Sequence, residues 1–180
     1  MKFAIRVVAL VTIFSFPQYG YAGPEEDYKE GFASYKDGDV FTAMPKLEAA
    51  SNAGHIEATL LLAYIYDKAQ ENETAVKLYR YAAEKGDPKG QLEFGLMVVY
   101  GEGITKDVAV GRSWVEKSVQ QNYTQAMLVL GQVYIKGQWG FDVDRDRGMT
   151  LIRKAAELGD PDASDYVKSM ESSTPASANK

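Results

Sequence analysis

The string AAEKGDP at residues 82–88 returns almost unchanged as AAELGDP at residues 155–161. When the chain is aligned on this string, one pattern of small residues occurs in four copies. Each copy has a small residue, a second small residue seven positions later, a helix-stopping residue four positions after that, and a third small residue four positions further on. The four sets are Ala43, Ala50, Gly54 and Ala58; Ala75, Ala82, Gly86 and Gly90; Gly111, Ser118, Asn122 and Ala126; and Gly148, Ala155, Gly159 and Ala163. The chain therefore contains an internal repeat.

The spacing inside each copy predicts a helix that ends in a tight turn. Small residues seven positions apart lie on one helix face, where they let a second helix approach closely. Gly or Asn four residues later is the residue type that adopts the left-handed backbone at a helix end. Asp-Pro follows directly in two copies, which fits a short turn with Pro in the first turn of the next helix. We call the helix before this turn the B helix of its unit.

A second helix, the A helix, is predicted between successive B helices. Counted from the third small residue of each copy, a bulky residue follows at plus four, a small one at plus five and apolar ones at plus seven and plus eight. In the last A helix these are Leu130, Gly131, Val133 and Tyr134. Such helical hairpins bury their apolar faces only by stacking on one another. The sequence therefore predicts an all-α fold, an α-solenoid (α/α superhelix) of about four stacked helical hairpins with a C-terminal capping helix.

The last unit carries a recognisable set of residues: Ala126, Leu130, Gly131, Tyr134, Gly137, Gly148, Ala155, Ala156 and Gly159. On these residues the chain resembles the Sel-one-like repeat (SLR) family, a relative of the tetratricopeptide repeat, over roughly residues 25–170. The resemblance implies a solenoid at residues 23–171, with units at about 25–54, 55–86, 87–122 and 123–159 and a cap at 160–171. Residues 172–180 are small and polar and are predicted to form a disordered tail.

Three residues depart from the usual pattern. Gly111 and Gly148 replace the more usual Ala, and helix propensity predicts that each weakens its B helix by up to about 1 kcal/mol. Pro45 is expected close to the start of the first B helix, since proline deeper in a helix is costly.

Residues 1–22 have the pattern of a secretory signal peptide. Lys2 and Arg6 precede an apolar run that is too short to span a bilayer, and small residues Gly20 and Ala22 suit cleavage after position 22. Gly23 stands where a lipoprotein would have Cys. The protein is thus predicted to be exported without stable membrane insertion after signal cleavage. The short signal favours a bacterial periplasm, and an extracellular location stays open.

Charge and cysteine content limit the kinds of partner and the kinds of site that the chain can have. The net charge is −5, and it becomes −7 without the two basic residues of the predicted signal. An acidic surface repels nucleic acid and anionic membranes. The chain has no Cys, which excludes disulfides and a thiol nucleophile and removes the usual structural zinc ligands. Monomer and weak dimer both remain open.

Catalytic and metal motifs are incomplete. His55, the one histidine, follows a helix stop and is predicted to serve the turn. Asp142, Asp144 and Asp146 begin like a calcium loop, but Arg147 and Arg153 stand where that loop needs Gly and Glu, so these acids are predicted to lie at a helix N-terminus. The Ser-x-x-Lys at Ser177 lies in the predicted tail, where nothing preorganises it. We predict no catalysis, no cofactor and no metal.

In tetratricopeptide-like arrays the A helices line the concave surface, so their non-core positions are candidate contacts for a partner. These positions give a largely apolar candidate groove of Leu60, Tyr64, Asp67, Leu92, Leu96, Val99, Leu128, Gln132 and Ile135. Such a stripe is typical of a site for a peptide or helix. The alternative is that a short array buries these leucines in its own core. The loop aromatics Trp139 and Phe141 form a second candidate patch, with packing on the preceding hairpin as its alternative.

The resemblance implies a non-catalytic protein–protein interaction module, an adaptor or scaffold, whose protein partner the sequence does not identify. Two alternatives stay open at this point. One is a periplasmic binder of cell-wall ligands or a β-lactam-related enzyme, although the SLR proteins associated with β-lactams are rich in cysteine. The other is a secreted effector that acts on host proteins.

Overall fold

A computed structural model describes residues 23–173. Within this range the chain forms nine α-helices of thirteen residues each and no strand. They are α1 (Pro24–Lys36), α2 (Val40–Asn52), α3 (Ile56–Lys68), α4 (Asn72–Glu84), α5 (Pro88–Tyr100), α6 (Val108–Gln120), α7 (Thr124–Lys136), α8 (Arg145–Glu157) and α9 (Pro161–Ser173). Helices α1, α3, α5 and α7 are the predicted A helices, and α2, α4, α6 and α8 are the B helices. The all-α solenoid prediction is confirmed.

The left-handed turns that follow the B helices are confirmed at all four predicted positions. The backbone φ is +90° at Gly54, +89° at Gly86, +59° at Asn122 and +92° at Gly159. At the second of these turns the N–H of Asp87 donates to the carbonyl of Ala82 at 3.1 Å, which satisfies a carbonyl that the helix end would leave unpaired. The Asp87 side chain then accepts from the N–H of Gly90 at 2.6 Å and starts α5. One short segment therefore ends a B helix and begins the next A helix.

The core runs along the stack as a series of clusters between successive helices. The small residues of the repeat are buried throughout; Ala43, Ala50, Ala75, Ala82 and Ala155, for example, are fully buried. Bulky residues of the A helices, such as Leu62, Phe94 and Leu130, pack beside them. Every helix in residues 23–173 is too short and insufficiently apolar to span a bilayer.

Two details differ from the sequence prediction. Pro45 is the sixth residue of α2 rather than one of its first. The carbonyl of Phe41, a residue that is 91% exposed, therefore lacks an N–H donor four residues on. Helix α9 extends to Ser173, two residues past the predicted cap. Residues 174–180 of the predicted tail and the predicted signal peptide at 1–22 lie outside the described residues.

Candidate protein-interaction surface

A groove of about 360 Å³ lies between α1 and α3 at the start of the solenoid. Its walls are mainly aromatic and aliphatic, with one acid and one base at the rim. We call it the A-face groove. It is lined by Tyr28, Phe32, Tyr35, Glu57, Leu60, Leu61, Tyr64 and Lys89. Phe32 and Tyr64 are 38% and 39% exposed, although both are large and partly apolar. The groove therefore offers apolar surface that the chain does not cover.

Helical spacing explains why these residues share one face. Tyr28, Phe32 and Tyr35 are separated by four and three positions, so they form one stripe along α1. The rings of Tyr28 and Phe32 are stacked, with centroids 5.8 Å apart. Leu60 and Tyr64 stand four residues apart on α3 and face that stripe. Two A helices of successive units thus build the groove together.

Charged side chains border the groove at both ends. Lys36 lies 5.1 Å from the centre of the Phe32 ring, and Lys68 lies 5.2 Å from that of Tyr64. These contacts place a cation over each exposed ring. At the opposite end, Glu57 stands in the first turn of α3. A ligand in the groove would therefore meet apolar walls between charged ends.

His55 holds the start of α3 against α1. Its Nδ1 accepts from the N–H of Ala58 at 3.3 Å, so the predicted turn role is confirmed. Its Nε2 then carries the proton and donates to Glu25 at 3.1 Å. The imidazole also stacks on Tyr28 with ring centroids 4.4 Å apart. Hydrogen bonds from His55 and then from Lys29 lower the pKa of Glu25. His55 thus positions one wall of the groove.

The structure distributes the predicted stripe between surface and core. Leu60, Leu92 and Val99 are buried, at 7%, 3% and 2% exposure. Leu96, Leu128 and Ile135 are partly buried against the chain's own clusters. Tyr64 is exposed, and Asp67 and Gln132 are half-buried. Only Leu60 and Tyr64 line the A-face groove, with Leu60 at its floor.

Burial in the structure and one spacing in the sequence together locate the accessible face of the A helices more closely. In α3, α5 and α7 the half-buried positions equivalent to one another are Leu61, Glu93 and Val129, each one residue after a predicted stripe leucine. The contribution of α1 was missed because Glu26 stands where the other A helices have their first small residue, although Gly31 keeps the small residue five positions later. The spacing of Tyr28, Phe32 and Tyr35 is the signal that identifies it.

Glu93, on the accessible side of α5, makes the stability of the protein depend on pH. Burial raises the pKa of Glu93, and Lys89 partly opposes that rise. The folded pKa of this carboxyl thus lies above its unfolded value, so stability falls as pH rises from the unfolded pKa through the folded one. We expect Glu93→Gln to raise the melting temperature at pH 7, and the difference to vanish near about pH 3, where both forms are neutral. Thermal unfolding followed by circular dichroism measures this, and equal melting temperatures at pH 7 would contradict it.

The second candidate patch packs onto α7 and onto the preceding hairpin, and it stays partly exposed. The Phe141 ring lies 4.3 Å from the Tyr134 ring, and the Arg112 guanidinium lies 4.3 Å from the centre of Phe141 on another side. Trp139 meets Tyr100 edge to face, with centroids 6.4 Å apart. Both loop aromatics are half-buried. The loop is therefore tied to α5, α6 and α7.

Two of the three calcium-like acids serve a helix start, whereas Asp142 lies in the loop before the cap of α8. Asp144 caps α8 by accepting from the N–H of Arg147 at 2.9 Å, and Asp146 lies in the first turn of that helix, as predicted. In residues 23–173 no three His, Asp or Glu side chains are grouped so that they could hold a metal ion. Ser177 and Lys180 lie outside the described residues.

Comparison with known families settles the type of repeat. The model of the Sel1 repeat matches residues 56–87, 88–123 and 124–160, which together are more than half of the chain. The chain belongs to the Sel1 repeat family. The three matched Sel1 repeats begin at α3, α5 and α7, and each contains one A helix and the B helix that follows it. Helices α1 and α2 form a further hairpin that precedes them.

Individual proteins are similar to this chain in sequence or in fold. An uncharacterized protein of Neisseria meningitidis serogroup B is 32% identical over 121 residues, which are 67% of this chain and 24% of that protein. The chain thus spans about a quarter of the length of that relative. A Sel1 repeat protein from Oxalobacter formigenes has a TM-score of 0.65 at 23% identity, over 73% of this chain and 56% of the other. A protective antigen present in uropathogenic Escherichia coli strains, which displays an SLR fold, has a TM-score of 0.65 at 24% identity, over 79% and 32%.

The solved structures agree with the solenoid fold, and the general role follows from the family. Sel1 repeat proteins generally mediate protein–protein interaction, and the family is generally a non-catalytic scaffold. The A-face groove is a candidate site for such a role.

Proposed function

We propose that the protein is an exported, non-catalytic adaptor that binds a peptide or helix of a partner protein in the A-face groove. The observation that carries this proposal is that two exposed aromatic rings, Phe32 on α1 and Tyr64 on α3, line one mainly apolar groove of about 360 Å³. Aromatic residues in such pockets supply much of the binding energy of protein interfaces.

The construction of the groove supports this role in two ways. First, its walls belong to two helices whose other faces are fixed in the core, so little order needs to be gained on binding. Second, the His55 contacts with Tyr28 and Glu25 hold the turn between units in place. A partner would therefore meet a preorganised surface, and apolar side chains spaced along its helix would enter the groove.

Export rests on the pattern of residues 1–22. If that segment is a signal peptide, expression of the full chain in a bacterial host gives a periplasmic product that begins at Gly23. Cell fractionation with N-terminal sequencing tests this part of the proposal by itself.

Binding at the groove is tested by site-specific photo-crosslinking. A benzoylphenylalanine side chain is placed at Phe32, at Tyr64 or at Tyr81, which is 37% exposed on the B helix α4 and lies outside the groove. We expect one protein of an envelope extract to be crosslinked from positions 32 and 64 and not from position 81. Crosslinks to the same protein from all three positions would reject the groove as the binding site.

The identified partner then allows a quantitative check. We expect the double variant Phe32→Ser with Tyr64→Ser to weaken binding by about 2 kcal/mol or more, which is roughly thirtyfold. Tyr81→Ser serves as the matched control, and circular dichroism confirms that each variant is folded. Titration calorimetry measures both affinities, and equal affinities would contradict the proposal.

A further inference from the structure

A second cleft, of about 390 Å³, lies between the B helices α6 and α8, above the A helix α7. Unlike the A-face groove, it has a strongly mixed lining. Its apolar part is Val119, Leu130 and Leu151, and its polar part is Glu116, Gln120, Tyr134, Arg147 and Thr150. We call it the B-face cleft. It shares no residue with the A-face groove.

The hydroxyl of Tyr134 in this cleft is a buried hydrogen-bond donor without an acceptor. The side chain is 2% exposed, and its hydroxyl has no hydrogen-bond partner among the described residues. Burial raises the pKa of Tyr134, so the phenol keeps its proton and remains a donor. A buried donor without an acceptor is costly. Tyr134 therefore calls for an acceptor from outside the described chain.

The repeat itself shows which acceptor suits this position. Tyr66 and Tyr134 occupy the same place, eight residues after the third small residue of their copies, and Glu48 and Glu116 occupy the same place in the preceding B helices. Between α2 and α3, Tyr66 donates to the Glu48 carboxylate at 3.3 Å. In the copy where the tyrosine bonds to the glutamate, the acceptor is thus a carboxylate.

In the copy that contains Tyr134, two arginines change the partners of the tyrosine and the glutamate. Glu116 is turned toward Arg112, with 3.8 Å between Oε1 and Nε. Arg147 stacks on the Tyr134 ring at 4.2 Å and makes no ion pair among the described residues. The positions equivalent to Arg112 and Arg147 in the Tyr66 copy hold uncharged residues, Met44 and Thr74.

The acids nearest to the cleft already have partners. Asp144 is engaged by the N–H of Arg147 at the helix cap, and Glu116 faces Arg112. The Arg147 guanidinium and the Tyr134 phenol therefore have no acceptor within residues 23–173. The guanidinium can only donate, and the buried phenol needs an acceptor for its proton; a single carboxylate has enough lone pairs to accept from both.

We propose that the B-face cleft is a binding site for a carboxylate carried next to an apolar side chain. The carboxylate accepts from the Tyr134 hydroxyl and pairs with Arg147, while the apolar side chain packs on Val119, Leu130 and Leu151. The chemistry fits either the C-terminus of a peptide or an acidic side chain within one.

Nuclear magnetic resonance titration of residues 23–180 tests this site without a known partner. The probes are N-acetyl-leucine, which has a terminal carboxylate, acetyl-Leu-Glu-amide, which has an internal one, and N-acetyl-leucinamide, which has none. We expect at least one acid to shift amide resonances of α6, α7 and α8 and to bind at least about tenfold more tightly than the neutral amide. The tighter acid identifies the source of the carboxylate. Equal or absent binding of all three probes would overturn the proposal.

Variants separate recognition from packing. Tyr134→Phe and Arg147→Gln should each weaken binding of the acid by roughly tenfold, whereas Tyr66→Phe, the equivalent change in the copy where the tyrosine bonds to the glutamate, should leave it unchanged. Stability gives an independent readout. Tyr66→Phe removes a hydrogen bond and should lower the melting temperature, whereas Tyr134→Phe removes an unpaired hydroxyl and should not.

Unchanged binding of the acid in Tyr134→Phe and Arg147→Gln would reject the site. Phe32→Ser with Tyr64→Ser should leave acid binding intact, so this proposal and that of the A-face groove can fail separately.

Discussion

We expect Gly111→Ala to destabilise the protein by about 2 kcal/mol, although alanine is the better helix former. An alanine Cβ at this position of α6 would lie 2.5 Å from the carbonyl oxygen of Gly95 and 2.7 Å from the backbone nitrogen of Val99. Both atoms belong to the backbone of α5, so neither can move aside as a flexible side chain would. Separation of the two helices costs packing along their whole contact, and this loss exceeds the propensity gain of up to about 1 kcal/mol.

Urea denaturation monitored by circular dichroism measures the effect, and the melting temperature should fall by roughly 4–8 °C. Ser113→Ala is the matched control, because Ser113 is exposed on the same helix; its stability should stay within about 0.5 kcal/mol of the native chain. If Gly111→Ala proved more stable than the native protein, the close approach of α5 and α6 would be refuted.

This case shows where reasoning from the sequence succeeds and where it stops. The recurrence of small residues correctly placed the B helices and the faces on which they pack, because spacing along a helix determines which residues share a side. The sequence interpretation took Gly111 and Gly148 as weak points in their helices. In the structure each faces a glycine of the A helix, Gly95 and Gly131, so their role is contact between backbones. That role depends on two residues distant in sequence, and propensity treats each residue alone.

The candidate surface was predicted less completely for a related reason. A position along an A helix could be assigned to the apolar side from its period, but the boundary between core and surface depends on how far the neighbouring helices reach around it. Leu60 and Leu61 both line the groove, but Leu60 is 7% exposed and belongs to a core cluster, whereas Leu61, the next residue, is half-buried. One residue corresponds to a rotation of about 100° on a helix, so a small error in the assumed packing moves a side chain from groove to core.

The B-face cleft could be found only by comparing copies of the repeat in three dimensions. In the sequence, Tyr66 with Glu48 and Tyr134 with Glu116 are the same pair, and the arginines at 112 and 147, where the other copy has Met44 and Thr74, do not by themselves show which acceptor each tyrosine has. The difference arises because Arg112 lies within 3.8 Å of Glu116 and because the loop with Trp139 holds Arg112 in place through the Trp139 carbonyl at 3.4 Å. Repeats with equal sequence patterns can thus differ in function where a neighbouring unit changes the charge.

The buried and exposed members of the predicted stripe should respond in opposite ways to the same change. We expect Leu92→Ser to destabilise the protein by about 3–5 kcal/mol, because it leaves a cavity and buries a hydroxyl in an apolar cluster. Leu92 is 3% exposed and packs with Val115, Ala126 and Leu130 between α5, α6 and α7. This loss is a large part of the total stability of a domain of this size. Urea denaturation of the purified variant measures it.

Tyr64→Ser is the informative comparison, since Tyr64 stands on the equivalent face of α3 but is 39% exposed. We expect its stability to stay within about 1 kcal/mol of the native chain, while binding of the partner found by crosslinking weakens. In Leu92→Ser, by contrast, any loss of binding should follow the loss of folded protein. If Leu92→Ser remained fully stable and yet lost the partner, Leu92 would have to be a contact residue, and the accessible face of α5 would lie one residue earlier than the structure places it.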